Sequence, residues 1–574
     1  MEQLIPFTGN SLIDLIQFRA KQQSQAIAYT HLKDRNNEKE TITYQQLNIE
    51  ICRLAAYFQK LGIEGERVIL AYPTGLEYII AYFAVIFAGG IAVPVFEPRQ
   101  SSHFARLQGI IQDCKPALLI SNEQTYRVTS ENAIDVIESA GVRWLTTDNL
   151  TELERLTEKD WSPITLQPND VVFLQYTSGS TGNPKGVKVT DSNLIHNSQV
   201  IARATQPDEN FVCVSWLPPY HDMGLIGGLL QPLFSGYPCV VLSPVAVIQR
   251  PYKLLQAISD YKATISGGPN FIFETCVNRI RDNQIEGIDL SCWKVAFNGA
   301  EPIHAETLES FTERFSAYGF AGSAHYPCYG LAENTLFATG AKAQAGAVIK
   351  TFDPQELKKG YACYSNSHDA TALVSSGYAD AEVTLHIVSP DSSAELPERT
   401  IGEVWLKGKS QPLGYWERER VEGEEFFGLL EGDDSNTYFR TGDLGFIDEG
   451  QLFVTGRIKD LIIVRGKNHY PQDIELTIVK SSENIKSHSV AAFSYIENNA
   501  ECVGALVEVK PNVSQEQRTA MQEAIVDKVA KKHDLKIGNV CFIKPGALPK
   551  TTSGKIQRRA AHEIYLNQKN QAVS

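Results

Sequence analysis

The amino-acid sequence predicts an α/β protein with largely parallel sheets, followed by a smaller α+β domain. Three observations carry this. Short β-branched runs alternate with helical patterns through about the first 450 residues. The runs ERVILAY (66–72), ALLIS (117–121), VVFLQYT (Val171–Thr177) and CVVLS (239–243) are apolar on both faces, as strands covered by helices on two sides must be. Near the C-terminus the texture changes to hairpins and one amphipathic helix. A chain of 574 residues also exceeds what a single hydrophobic core serves.

Composition is that of a globular protein, with 43% hydrophobic and 21% charged residues. The net charge of −14 argues against a nucleic-acid partner, which calls for a basic footprint. Ten cysteines are scattered with no CxxC pair, the pattern of reduced thiols rather than of a disulfide framework or a cysteine metal site. The first twenty residues lack the basic, apolar and cleavage regions of a secretory leader. A cytoplasmic protein is expected.

The segment YIIAYFAVIFAGGIAVPVF (78–96) carries no charge and approaches the roughly 20 apolar residues of a membrane span. Gly89, Gly90 and Pro94 interrupt it, so a buried helix, a glycine turn and a core strand are expected instead. Further on, GFIDEGQLFVTGRIKDLIIVRG reads as a hairpin turning at Asp448-Glu449-Gly450, then a charged joint, then a new strand. SVAAFSYIENNAECVGALVEV is a second hairpin. Ser514 and Gln517 form a capping box that opens a helix with Met521, Ile525 and Val529 on its apolar face. These residues predict a large domain of 1–457 and a small α+β domain of 458–574.

The strand Val171–Thr177 runs into QYTSGSTGNPKGVKVT (175–190), which resembles a phosphate loop. It is not a Walker loop, because Lys185 follows Pro184 and precedes Gly186 rather than Ser or Thr. It still suits phosphates. Gly179, Gly182 and Gly186 let backbone N–H groups converge on an anion, Thr177, Ser178, Ser180 and Thr181 add hydroxyl donors, and Lys185 adds a point charge.

The full string YTSGSTGNPKGV resembles the signature of the adenylate-forming superfamily of acyl-CoA synthetases, amino-acid-activating domains and luciferases. SWLPPYHDMGL (215–225), NGAEP (298–302), YGLAE (329–333), FRTGD (439–443), GRIKD (456–460) and LPKTTSGKI (548–556) follow in the family's order. The resemblance spans about residues 12–560. It implies layered α/β sheets with a small β-barrel-like region, and a mobile C-terminal domain. It also implies ATP and Mg²⁺ as cofactors. By the same resemblance, Thr177, Ser178, Gly179, Ser180, Thr181, Gly182 and Lys185 hold phosphates. Glu333, with Thr177, holds the metal. Asn298, Gly299, Ala300 and Glu301 form one wall for adenine and Tyr329, Gly330 and Leu331 the other. Asp443 accepts from the ribose hydroxyls, Arg457 donates to ribose or phosphate, Lys459 is the hinge, and Lys555 bridges the acid and the α-phosphate.

His221 stands where amino-acid activators carry an Asp for the α-amine, and is grouped with Lys555 as catalytic. An alkyl chain suits the apolar surroundings, and Tyr220, Met223, Gly224, Ile226, Gly268, Pro269 and Phe271 are the expected acyl pocket. An extra segment (339–377), with a short helix expected at Pro354–Lys359, separates YGLAE from the next strand. Together with YHDMGL, Ala332 in place of Thr and RGKNHYPQDIE (465–475), it resembles the fatty acyl-AMP ligase branch. That resemblance implies a fatty acid substrate, acyl-AMP as product, and an acyl carrier protein acting in trans. It also implies that the segment restrains domain movement and disfavours free CoA. The Asp-Ser pair of DSNL (191–194) is read as helix capping rather than a phosphopantetheine site. A fatty acyl-CoA synthetase and a non-catalytic nucleotide- or acyl-binding module are the alternative readings, and an amino-acid-activating domain is a third.

Overall fold

The computed structural model describes residues 4–33, 38–98, 101–129, 131–177, 184–418, 424–464, 467–497, 500–533, 535–551 and 554–573. Apolar runs become the centres of two sheets. In the six-stranded sheet, Arg143–Thr146, Leu118–Ser121, Arg67–Leu70, Ile91–Pro94 and Val171–Thr177 run parallel, and Lys185–Thr190 closes the edge antiparallel. In the nine-stranded sheet, the six strands His325–Gly330, Val295–Asn298, Ile265–Gly268, Cys213–Ser215, Cys239–Leu242 and Ile27–Leu32 lie side by side and parallel.

The uncharged segment behaves as its glycines dictate. Leu76–Phe87 is a helix buried on nearly every face, Gly89 turns the chain at φ 79°, and Ile91–Pro94 is a fully buried strand. No helix among the described residues is long and apolar enough to cross a membrane. The helix Asp191–Thr205 differs from expectation by one residue. Its cap is Thr190, in a reciprocal box with Asn193, and Asp191 instead accepts a hydrogen bond from Leu12 N at 3.0 Å.

The barrel-like region is a five-stranded antiparallel sheet of Val383–Val388, Gly402–Gly408, Gly428–Leu430, Asp433–Asp448 and Gln451–Arg457. Its last hairpin turns at Glu449 and Gly450, both with positive φ, the geometry that matches strand twist. Beyond it, Ile485–Glu497, Ala500–Val509 and Ile537–Ile543 form a separate three-stranded sheet. The helix Gln515–His533 packs Met521, Ile525 and Val529 on it, beside Ile474 and Ile478. Ser514 and Gln517 exchange the two hydrogen bonds of the capping box.

The extra segment folds as a hairpin, Ile349–Phe352 with Thr371–Val374, enclosing the helix Pro354–Lys359. Asp353 caps that helix and Gly360 ends it at φ 94°. The segment is tied at two places. Lys350 Nζ lies 2.6 Å from Asp448 and 2.8 Å from Glu449, while Phe352 packs on Phe446 and Phe453. On the other side, the buried Lys358 donates to the carbonyl of His533, at the end of helix Gln515–His533, at 3.0 Å.

Candidate active site

A cavity of about 2020 Å³ opens where the two large sheets, the antiparallel sheet and the C-terminal region meet. Val171–Thr177 and Lys185–Thr190 pair so that Thr177 stands opposite Lys185. Both border the cavity. Lys185 Nζ sits 4.5 Å from the Tyr415 ring centre and 3.1 Å from Glu425. Tyr415 in turn donates to Glu333 at 3.1 Å. Burial holds the Glu333 carboxyl above the ordinary carboxylate range, a tendency that the Tyr415 hydrogen bond and Arg457 oppose. Ser178, Gly179, Ser180, Thr181 and Gly182 lie outside the described residues, as do Arg465 and Gly466.

The motif after Tyr220 is shaped by an uncommon helix. Met223–Leu230 is a π-helix, a form that concentrates at functional sites, and Asp222 caps it through Met223 N at 2.7 Å. Gly224 is obligatory there, because a Cβ would stand 2.1 Å from the Pro218 carbonyl oxygen. This packing turns His221 and Asp222 toward the cavity. Burial pushes His221 down to about 3, with the positive charges of Arg106 and Lys555 adding to the shift, so its imidazole is neutral. Burial raises Asp222, and Lys555 opposes.

Across the cavity, Tyr329 and Gly330 end the strand His325–Gly330. The Tyr329 hydroxyl donates to Asp443 at 2.7 Å, and Arg457 Nε pairs with the other carboxylate oxygen at 2.8 Å. Asp443 and Arg457 are register partners in the antiparallel sheet, so strand pairing brings them side by side. Asp443 raises the Arg457 guanidinium above its ordinary value. Ala300, which borders the cavity, adopts φ 68°, a left-handed conformation strained for a residue with a Cβ. Glu301 accepts from Phe271 N at 2.6 Å and so caps the helix Asn270–Arg279, while its side chain also borders the cavity.

Lys555 arrives from the C-terminal region. Gly554, at φ 85°, and hydrogen bonds from Gly554 N and Lys555 N to Thr551 hold its turn. Burial, then Arg457, holds its ammonium below the usual value, while Asp222, Glu301 and Asp443 oppose. Lys459 lies in the single turn Ile458–Asp460, exposed, and Arg558 clamps this joint through Asp460 and Glu475, each at 2.8 Å.

Most residues expected for the acyl pocket stand behind the cavity wall rather than on it. Of them only Met223 borders the cavity. Ile226 is fully buried in the core, and Gly224 lies against the Pro218 carbonyl. Tyr220 packs edge-on to Phe96, Gly268 under Trp216, and Phe271 between Trp216 and His488, with Pro269 leading into its helix. Asn298 and Gly299 also stand behind the wall, Asn298 bonded to Asn270 and Gly299 packed on Cys328. Ile201, Gly227, Ile265, Val295, Leu336 and Phe337 give the cavity apolar surface. All but Leu336 lie in five separate elements, so no contiguous signal marks them together. Tyr415 and Glu425 were likewise missed, because their partners lie far away in sequence.

Residues 16–416 match the AMP-binding enzyme family. The chain belongs to the AMP-binding enzymes. Residues 459–574 match the AMP domain of the Disco-interacting protein 2-like type. Among curated AMP-binding relatives, the medium-chain-fatty-acid–[acyl-carrier-protein] ligase JamA of Moorena producens is 37% identical, covering 97% of this chain and 95% of its own. A long-chain-fatty-acid–AMP ligase of Mycobacterium marinum is 34% identical, with 98% of each chain covered. Among solved structures, the fatty acyl-adenylate ligase of L. pneumophila in complex with acyl adenylate and pyrophosphate aligns at TM-score 0.75 and 36% identity, over 97% of this chain and 96% of that one.

Proposed function

We propose that this AMP-binding enzyme is a fatty acyl-AMP ligase that delivers its acyl group to a carrier protein acting in trans. A fatty carboxylate oxygen attacks the α-phosphorus of ATP, the bond to the bridging oxygen breaks, and pyrophosphate leaves. The phosphopantetheine thiolate of the carrier then attacks the acyl carbon and AMP leaves. Both partners of the first step are anions, so alignment and charge neutralisation supply the catalysis.

One observation carries this reading. Residues of the six motifs that follow the loop signature border one cavity with Thr177 and Lys185, and Lys555 faces Asp222, Asp443 and Arg457 from another part of the chain. Lys185 and Thr177 would hold the β- and γ-phosphates, Asp443 the ribose hydroxyls, and Lys555 the acid and α-phosphate. The neutral His221 would contact the acid without competing for a proton. A magnesium ion takes hard oxygen donors, and Glu333 fits it as a buried carboxylate on the same cavity as Thr177. Those two residues would hold the ion, which neutralises phosphate charge.

The boundary is placed at 457/458, with Lys459 as the hinge between half-reactions. The two anchors of the segment 339–377 favour a restrained lid, through Lys350 on one side and Lys358 on the other. Ten free cysteines suit a reducing cytoplasm. The test is acid-dependent pyrophosphate exchange across a fatty-acid length series, with acyl-AMP identified as the product. No exchange with any fatty acid overturns the reading.

A further inference from the structure

The helix Ser101–Cys114 holds both described ends of the hairpin that carries the phosphate-loop residues. On the incoming strand, Arg106 Nη2 lies 3.5 Å from the Tyr176 carbonyl, and the Tyr176 hydroxyl donates to Asp113 at 2.6 Å. On the outgoing side, Gly109 faces Pro184 so closely that a Cβ would stand 3.2 Å from its ring. Arg418 pairs with the second oxygen of Asp113 at 2.9 Å. The hairpin is therefore seated on this helix one residue before Thr177 and one residue before Lys185.

Arg106 is the cation of this helix that borders the cavity, in company with Thr177, Lys185 and His221. Its guanidinium lies 5.7 Å from the Phe96 ring centre, and Phe96 packs on Tyr220. Burial depresses the guanidinium, the mark of a charge held partly out of water. Lys185, the register partner of Thr177, pairs with Glu425 at 3.1 Å, so Arg106 is a second cation beside the same hairpin.

We propose that Arg106 binds the pyrophosphate portion of ATP at the Thr177 side of the hairpin. Its planar fork presents paired N–H donors to phosphate oxygens, where Lys185 offers a single point charge. Arg106 would thus hold the leaving group during adenylation and the attacking pyrophosphate in reverse. The inference rests on the adenylation reading above.

The test runs the enzyme backwards, with purified acyl-AMP and inorganic pyrophosphate giving ATP and fatty acid. Arg106→Gln is expected to raise KM for pyrophosphate about 10- to 100-fold, the loss of a hydrogen bond to a charged group. KM for the fatty acid in the forward direction should stay within about twofold. Arg106→Lys keeps the charge without the fork and should fall between. An unchanged pyrophosphate KM in both variants overturns the proposal. So does an equal rise in both KM values, which would mark a structural role or a contact to the acid. If the Gln variant does not fold, the Lys variant must show the pyrophosphate-selective shift by itself, and its absence overturns the proposal. Wild-type enzyme inactive in both directions would instead defeat the adenylation reading.

Discussion

Tyr329 and Asp443 are joined by a 2.7 Å hydrogen bond, although 114 positions separate them. Arg457 takes the opposite oxygen of the same carboxylate, which is only 5% exposed. The carboxylate is thereby fixed and the Tyr329 ring oriented before any nucleotide arrives. Asp443→Asn keeps the shape but removes the charge that both partners use. KM for ATP is expected to rise about 10- to 100-fold, while the fatty-acid KM changes little. Equal changes in both constants would detach Asp443 from the nucleotide.

Lys555 should matter to the transition state more than to binding. Lys555→Ala is expected to lower adenylation by about 10²–10³, or ~3–4 kcal/mol, the scale of one preorganised donor. Transfer from supplied acyl-AMP to the carrier should fall far less. Near-normal pyrophosphate exchange in the variant would remove Lys555 from the chemistry.

Lys358 joins the extra segment to the helix Gln515–His533 by a buried charged hydrogen bond to the His533 carbonyl. Lys358→Ala is expected to cost about 1.5–3 kcal/mol of stability and to free the lid. Thioester formation with free CoA should then rise above the wild-type level. A destabilised variant whose CoA activity stays at that level would assign the contact to folding alone.

Gly224 has no room for a Cβ beside the Pro218 carbonyl. Gly224→Ala is expected to destabilise by at least about 1–3 kcal/mol, as overpacking does, and to displace His221 and Asp222. The readouts are thermal unfolding and adenylation rate. Wild-type behaviour in both would mean the π-helix is not needed to hold the motif.

His221 titrates at about 3 in the folded chain, below its ordinary 6.5. The unfolded chain therefore binds the extra proton first as pH falls. Stability tied to this residue is full above about 6.5 and is lost as pH drops from there toward 3. His221→Asn should flatten the stability profile between pH 7 and 4, measured by denaturant unfolding. Parallel profiles for the two proteins would show that the imidazole protonates freely in the native state.

The sequence made most legible what is local. The β-branched runs, the Asp448-Glu449-Gly450 turn, the Ser514 capping box and the helix Pro354–Lys359 are each encoded by neighbours, and the structure contains them all. Contiguous motifs carry many of the polar residues that border the cavity, among them His221, Tyr329, Glu333, Asp443, Arg457 and Lys555. The apolar part of the cavity wall was not legible, since Ile201, Val295 and Phe337 meet only after separate strands and helices pack. The π-helix was hidden because MGLIGGLL is apolar throughout and so carries no periodicity to distinguish one helical pitch from another. The partners of Lys185 were hidden because Tyr415 and Glu425 lie more than two hundred residues away.

The central claim is that the acyl group goes through acyl-AMP to a carrier protein rather than to free CoA. The most direct measurement offers the enzyme ATP, a fatty acid, free CoA and a phosphopantetheinylated carrier together, and identifies the products by mass. The account predicts acyl-AMP and acyl-carrier, with acyl-CoA at no more than a trace. Acyl-CoA formed at a rate comparable to acyl-carrier would contradict it.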